Sequence, residues 1–337
     1  MHRFTAVDRC AAFVLRNAGG RRLARQTLRH AHRLYGGYAG QRRRVRFMLR
    51  TLWYRETTRV WFAFLEATAW RREQVRLEPG LAEKLHRPYR RSDLSAAGRL
   101  TSALSHWQAL ESCNWSPEAR HWRRQPYLLA DITGKDAASC QLVLCTACQF
   151  TKEGEVCLQL RSDAGLLFTA AFSLRLEGDA STKLLLLDVG CLQGPGGDAG
   201  RHLVRQTTKL LHGLRPRDLL LQALQSIALT VGAAGIIGVC YRRHVYRHWR
   251  KRRRCPFDYD AYWLEHLGSR RSDGDYALPV HVAPTDPAQV PSKKRAEAKR
   301  RHALQVRMRE DILAALSSPA WVEARGSERA PVPSFVQ

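Results

Sequence analysis

The chain has 337 residues, with 56 Lys and Arg against 30 Asp and Glu, for a formal charge of +26. A hydrophobic share of 45% excludes a chain too polar to build a core, and the length suffices for one large domain or two ordinary ones. Nine cysteines, an odd number with five of them in apolar runs, argue against a disulfide-stapled scaffold and for free thiols in a reducing cytoplasm.

The charge is unevenly spread. From Ala130 to Val239 there are ten basic and ten acidic residues, whereas Arg3–Arg50 holds thirteen arginines against Asp8 alone. Arg242–Arg254 adds eight basic residues, and Lys293–Arg309 adds eight more with Glu297 as the one acid. A neutral centre with basic flanks implies an anionic partner: an anionic membrane surface or other polyanion, with nucleic acid as the alternative. The first residues contain no apolar run long enough for a secretory signal, so a cytoplasmic protein docking on the inner membrane is expected. Leu219–Tyr241 is uncharged for 23 residues, the length of a membrane span. Its glutamines, Ser226, Thr230 and three glycines, with basic residues at both ends, favour a buried helix followed by a strand. Cys145 and Cys148 form a lone C-x-x-C, so no metal site is expected.

In chain order, residues 1–125 read as a basic, aromatic-rich helical region. Trp53–Arg72 has the spacing of one amphipathic helix, with Trp53, Val60, Trp61, Phe64, Leu65, Thr68 and Ala69 on a shared, packed face. Asp93–Trp115 reads as another helix, and Ser116-Pro117-Glu118 as the start of a short one. Strands begin near Tyr127. Leu142–Phe150, Val156–Arg161 and Leu166–Leu174 are short β-runs separated by turns at Lys152–Glu155 and Ser162–Gly165. Leu184–Val189 follows as a buried strand, and Gly194–Gly197 breaks the backbone. A helix from His202 is interrupted at Gly213 and Pro216. A second is N-capped by Asp218 and ends at Gly232, and Ile236–Tyr241 resumes as a strand. Strand, glycine turn, helices and strand make a crossover unit that pairs its strands in parallel. Pro256–Trp263 opens a short helix, Leu278–Val280 is a last strand, Ser292–Leu316 is a basic helix, and Ser317 onward reads as a disordered tail. The fold class is therefore α+β: a helical N-terminal region, a mixed sheet over residues 126–290 with crossover helices, and a basic C-terminal helix within 291–337. The order of the sheet is that of an acetyltransferase-like fold of the GNAT type.

The stretches Leu192-Gln193-Gly194, Thr208–Pro216 (TKLLHGLRP) with Leu219–Leu221, Tyr246-Arg247-His248-Trp249, Asp258-Tyr259-Asp260 with Trp263, and Ser292–Arg295 resemble, in order, the VirK/YbjX family of bacterial proteins. The resemblance covers roughly residues 45–316, and LHGLRP is its most specific motif. It implies a Gram-negative protein linked to virulence, stress response, envelope remodelling and tolerance of antimicrobial peptides. It implies no agreed biochemical activity.

The residues suggest chemistry beside that resemblance. Gln193, Gly194, Gly196 and Gly197 form either a structural turn or a cradle whose backbone N–H groups hold the pyrophosphate of acyl-CoA or another acyl donor at a helix N-terminus. Asp198 departs from that cradle pattern, because it would repel phosphate. Arg205, Lys209 and Arg215 could extend an anion site, or form a solvated face and a capped corner. His212 is a candidate base, and Asp258 and Asp260 a candidate carboxylate pair, although i, i+2 spacing does not put them on one helix face. Arg243, Tyr246, Arg247, Trp249 and Arg250, with Lys293, Lys294 and Arg295, are candidates for contact with an anionic membrane or nucleic acid. Whether the chain is an enzyme stays open at this level; if it is one, an acyltransferase is the expectation, with a non-enzymatic nucleic-acid-binding protein as the alternative.

Overall fold

The structure is a computed structural model, and it describes residues 6–36, 40–113, 115–116, 119–147, 149–179, 182–247, 257–282 and 287–317. Five helices come first: α1 (Ala6–Tyr35, kinked at Gly20), α2 (Gln41–Trp53), α3 (Arg55–Glu66), α4 (Ala69–Leu77) and α5 (Ala96–Ser112). The expected single helix over Trp53–Arg72 is divided among three. Trp53 ends α2, Tyr54 separates it from α3, and the next break falls at Thr68, whose extended backbone and hydroxyl cap α4 by accepting from Arg71 N–H. Trp53 and Val60 are not on the packed face, at 84% and 48% exposed, and Thr68 and Ala69 are exposed too, while Trp61, Phe62 and Leu65 go inside. Ser116 caps a single turn at Ala119–His121.

The sheet has eight strands in the order β1-β2-β3-β4-β5-β6-β8-β7. β1 (Tyr127–Thr133), β2 (Ser139–Thr146), β3 (Val156–Ser162), β4 (Gly165–Glu177) and β5 (Leu184–Gln193) form an antiparallel meander. β5 then feeds α6 (Gly197–Leu210) and α7 (Pro216–Thr230), which return the chain to β6 (Gly235–Gly238), parallel to β5. α8 (Tyr259–Glu265), β7 (Ser269–Arg270), β8 (Tyr276–Leu278) and α9 (Ser292–Leu316) complete the order.

Several boundaries differ from the sequence expectation for local reasons. α6 starts at Gly197, five residues before His202. α7 starts with Pro216 at its first position, where a missing N–H costs nothing, so Asp218 sits inside the first turn and accepts from the Tyr262 hydroxyl instead of capping. β2 ends at Thr146 and β6 at Gly238, both short of the runs that hydropathy suggested. Pro279 has no N–H for the ladder, so β8 stops before it. Residues 318–337 lie outside the described residues, as do Cys148, Trp249 and Arg250.

α7 packs its apolar stripe of Leu220, Leu224 and Ile227 onto the sheet, and Met308, Ile312 and Leu316 of α9 join the same core. A second core gathers Phe47, Trp61, Phe62, Leu65, Leu81 and Trp107 among the N-terminal helices. Leu219–Tyr241, the membrane-length run, is thus a buried helix and strand, and among the described residues no helix is long and apolar enough to cross a membrane.

A buried ionic strap joins the helical region to the sheet. Arg90, at φ 60°, and Arg91 both reach Asp188 of β5; Arg91 Nη2 lies 2.9 Å from Asp188 Oδ1, and its Nε lies 2.7 Å from Asp275 Oδ2. The strap's backbone is also tied down: Arg90 N–H donates to Lys152 C=O, Arg91 bridges His244, and Ser92 N–H donates to Arg243 C=O. It therefore holds the loops that carry Glu153 and His244.

Candidate functional site

The parallel pair separates partway along its length. Val239 N–H to Val189 C=O is the last rung, beyond which β5 runs on to Gln193 while the other strand turns away. Ligands of sheets with a parallel pair settle where strands part at their carboxyl ends. Here the gap is filled by Tyr259 at the start of α8, whose hydroxyl accepts from Leu192 N–H at 3.2 Å. Above it lies a cleft of about 930 Å³ with walls of Phe150, Phe168, Leu192, Val204 and Phe257.

At the cleft floor, Glu153 and His244 are only 3% and 2% exposed, and Glu153 Oε1 lies 3.5 Å from His244 Nε2. The His244 ring stacks on Tyr259 with 5.0 Å between centroids, and Tyr246 N–H points at Nδ1 from 3.4 Å. Glu153 comes from the loop between β2 and β3, which turns inward because of two glycines. Ala171 pairs with Cys191 and Phe172 with Val189, leaving Gly190 as a bulge. A Cβ on Gly190 would lie 1.8 Å from the Glu153 carbonyl oxygen, so only glycine lets the loop approach. A Cβ on Gly154 would lie 2.7 Å from the Phe172 backbone N. Cys191 lies beside Glu153; burial first, and the neighbouring carboxylate second, push its thiol pKa up, so it is no nucleophile at neutral pH.

The opposite wall is the glycine turn. Gln193, Gly194 and Gly196 line the cleft, and Gly196 is the residue before the first turn of α6. Gly197 has φ 73° and does not line the cleft. Asp198 ion-pairs Arg201, so its charge does not face the turn uncompensated. Arg215 and Arg217 reach the same cleft and are also partnered: Arg215 Nη1 lies 3.0 Å from Glu265 Oε1, and Arg217 Nε lies 3.4 Å from Asp218 Oδ1.

Of the sequence candidates, the structure brings Gln193, Gly194, Gly196, Arg215 and Tyr246 to one cleft. His212, at φ 53° after α6, does not line it, nor do Arg205 and Lys209. Asp258 caps α8 by accepting from Ala261 N–H, and Asp260 accepts from Tyr241 N–H. Arg243 pairs with Asp93 and Asp275, and Arg247 lies over the Tyr241 ring. Lys293, Lys294 and Arg295 are exposed on α9. Sequence reasoning missed Glu153, His244 and Tyr259 as site residues. Glu153 read as part of a turn and His244 as one more basic residue; only Tyr259, inside the Asp-Tyr-Asp motif, carried a signal.

A family described as "Protein of unknown function (DUF535)" matches residues 38–314. The chain belongs to that family. It is 30% identical over 267 residues to the "Uncharacterized protein YbjX" of Escherichia coli (strain K12), covering 77% of this chain and 79% of that protein. Two uncharacterized proteins of Haemophilus influenzae are 29% and 28% identical over 124 and 116 residues, spanning 42% and 39% of their own lengths. The family is thus the VirK/YbjX one that the LHGLRP run resembles, and its relatives named here are bacterial. No solved structure matches the chain.

Proposed function

We propose that the chain is an acyl- or aminoacyl-transferase whose cleft holds an acyl thioester such as acyl-CoA. The observation that carries this reading is the parting of β5 and β6 beside a glycine turn that opens a helix, with a buried carboxylate–imidazole pair at the floor. An antiparallel meander leading into a central strand, a glycine break, helices and a parallel strand is the order of the GNAT-type fold. The apolar walls suit an acyl or pantetheine chain, and the first N–H groups of α6 suit a phosphate.

In this reading an amine or hydroxyl acceptor attacks the thioester carbonyl carbon. The Glu153–His244 pair takes the acceptor's proton, the C–S bond breaks, and the pair returns the proton to the departing sulfur. Tyr259 positions His244 through ring stacking. The family resemblance supplies the setting: an acceptor in the bacterial envelope, in keeping with virulence, stress response and antimicrobial-peptide tolerance.

The test is thermal unfolding and thiol release with a panel of acyl-CoA species. A ligand bound only by the folded state at a hundred times its Kd stabilises by ~2.7 kcal/mol. Gly196 has φ −88° and open space around a Cβ. Gly196→Ala therefore serves as the folding control, and Gly196→Trp fills the turn. A saturable shift abolished only by Gly196→Trp supports the reading; no shift with any thioester removes it. A second reading, a nucleic-acid-binding protein, is favoured by the exposed Lys293, Lys294, Arg295, Lys299 and Arg300 of α9. It requires duplex affinity that falls steeply with salt.

A further inference from the structure

We propose that the α2–α3 face is a membrane-docking surface for anionic phospholipid, a role independent of the transferase reading. Tyr54, at φ −105° and ψ 34°, ends α2 and opens α3: its N–H donates to Arg50 C=O and its C=O accepts from Thr58 N–H. Within α2, Arg42, Arg46, Leu49 and Trp53 stand at i, i+4, i+7 and i+11 and so share one stripe. The C-terminal end of that stripe is apolar, with Leu49 60% exposed and Trp53 84%, and Val60 on the next helix is 48% exposed. The inner face of the same helices is filled by Phe47, Met48, Trp61 and Phe62, so the outer residues are not a misplaced core.

The flanking charge points to the occupant. Arg42 and Arg46 continue the stripe towards the N-terminal end of α2, and Arg59 borders Val60; all three are exposed. Glu56, in the first turn of α3, is matched by Arg55 at 3.3 Å and Arg59 at 3.6 Å. An exposed tryptophan with an exposed leucine one turn away and two arginines farther along the same helix face fits the headgroup–acyl boundary of an anionic leaflet. The indole is at home at that interface, the aliphatic chains enter the acyl region, and each guanidinium meets a phosphate. Nucleic acid would use the arginines and leave Leu49 and Val60 in water.

The experiment is flotation of the full chain with phosphatidylglycerol-containing vesicles, with phosphatidylcholine vesicles and duplex DNA as comparisons. Wild type floats with the anionic vesicles and not with the zwitterionic ones. Leu49→Ala/Trp53→Ala keeps the thermal midpoint, because both side chains are exposed, and lowers partitioning about tenfold, equivalent to ~1.4 kcal/mol. Arg42→Glu/Arg46→Glu lowers it further in low salt than in high salt. Unchanged flotation of the Leu49/Trp53 variant overturns the proposal. So does equal binding to zwitterionic vesicles, or DNA binding without any vesicle binding.

Discussion

Lowering the pH from about 7 to about 5 should bring this protein close to unfolding, through buried histidines that do not line the cleft. His106 is fully buried on α5, and its Nδ1 accepts the Leu174 N–H of β4 at 3.0 Å, a bond that an imidazolium cannot accept. Burial, with Arg123 and Lys84 nearby, pulls its pKa from 6.5 to about 3, although the Glu155 carboxylate opposes this. His86, hydrogen-bonded to the Thr58 hydroxyl, falls to about 3 through burial and then Arg50; His30 falls to about 4 through burial and then Arg33. The unfolded chain takes up these three protons as the pH falls through about 6.5, while the folded chain takes up none until about pH 4 to 3. The unfolded state then binds more protons, so this stability is complete above about pH 6.5 and is lost below it. Between about pH 7 and about pH 5 each histidine contributes a loss of ~2 kcal/mol, or ~6 kcal/mol together, comparable with the whole stability of an ordinary domain. Glu155, held down to about 2 by Lys84 and Arg123 against the upward push of its burial, acts only below its ordinary 4.5 and does not offset this. Urea unfolding at a series of pH values measures the slope. His106→Asn keeps an acceptor and removes one proton, so the slope should fall by ~1.4 kcal/mol per pH unit whatever the absolute stability of the variant. A flat stability profile over this range, or an unchanged slope in the variant, would refute the reasoning.

Truncating Arg91 to Ala leaves Asp188 and Asp275 buried beside one another with less compensation, so urea unfolding should show a loss of ~3–5 kcal/mol. Gly190→Ala puts a methyl into the Glu153 backbone and should destabilise by ~1–3 kcal/mol, whereas Gly196→Ala should stay within ~0.5 kcal/mol; denaturation midpoints compare them directly. Once a turnover assay exists, Glu153→Gln should lower kcat by roughly a hundredfold or more, as loss of a general base does, and alter the pH–rate profile. An unaltered profile would remove Glu153 from the proton path.

The sequence by itself determined the elements whose signal is local. Hydrophobic period, glycine and proline punctuation and the neutral composition of the centre specify the meander, the crossover and the long last helix, because those features act within a few residues. The LHGLRP run carried the family. What only tertiary structure decided is which polar residues share a space. Glu153 and His244 are 91 positions apart in the chain, and nothing in either neighbourhood announces the other. They meet because Gly190 admits the Glu153 loop and because Arg90–Ser92 clamps both loops through backbone bonds. Asp258 and Asp260 look catalytic in one dimension and act as backbone acceptors in three, since short acidic side chains satisfy the nearest exposed N–H. Trp53 carries the same lesson outward. Its spacing matched the packed face only if one helix ran from Trp53 onward; the helix ends at Tyr54 instead, and burial is set by neighbours that the local pattern does not contain.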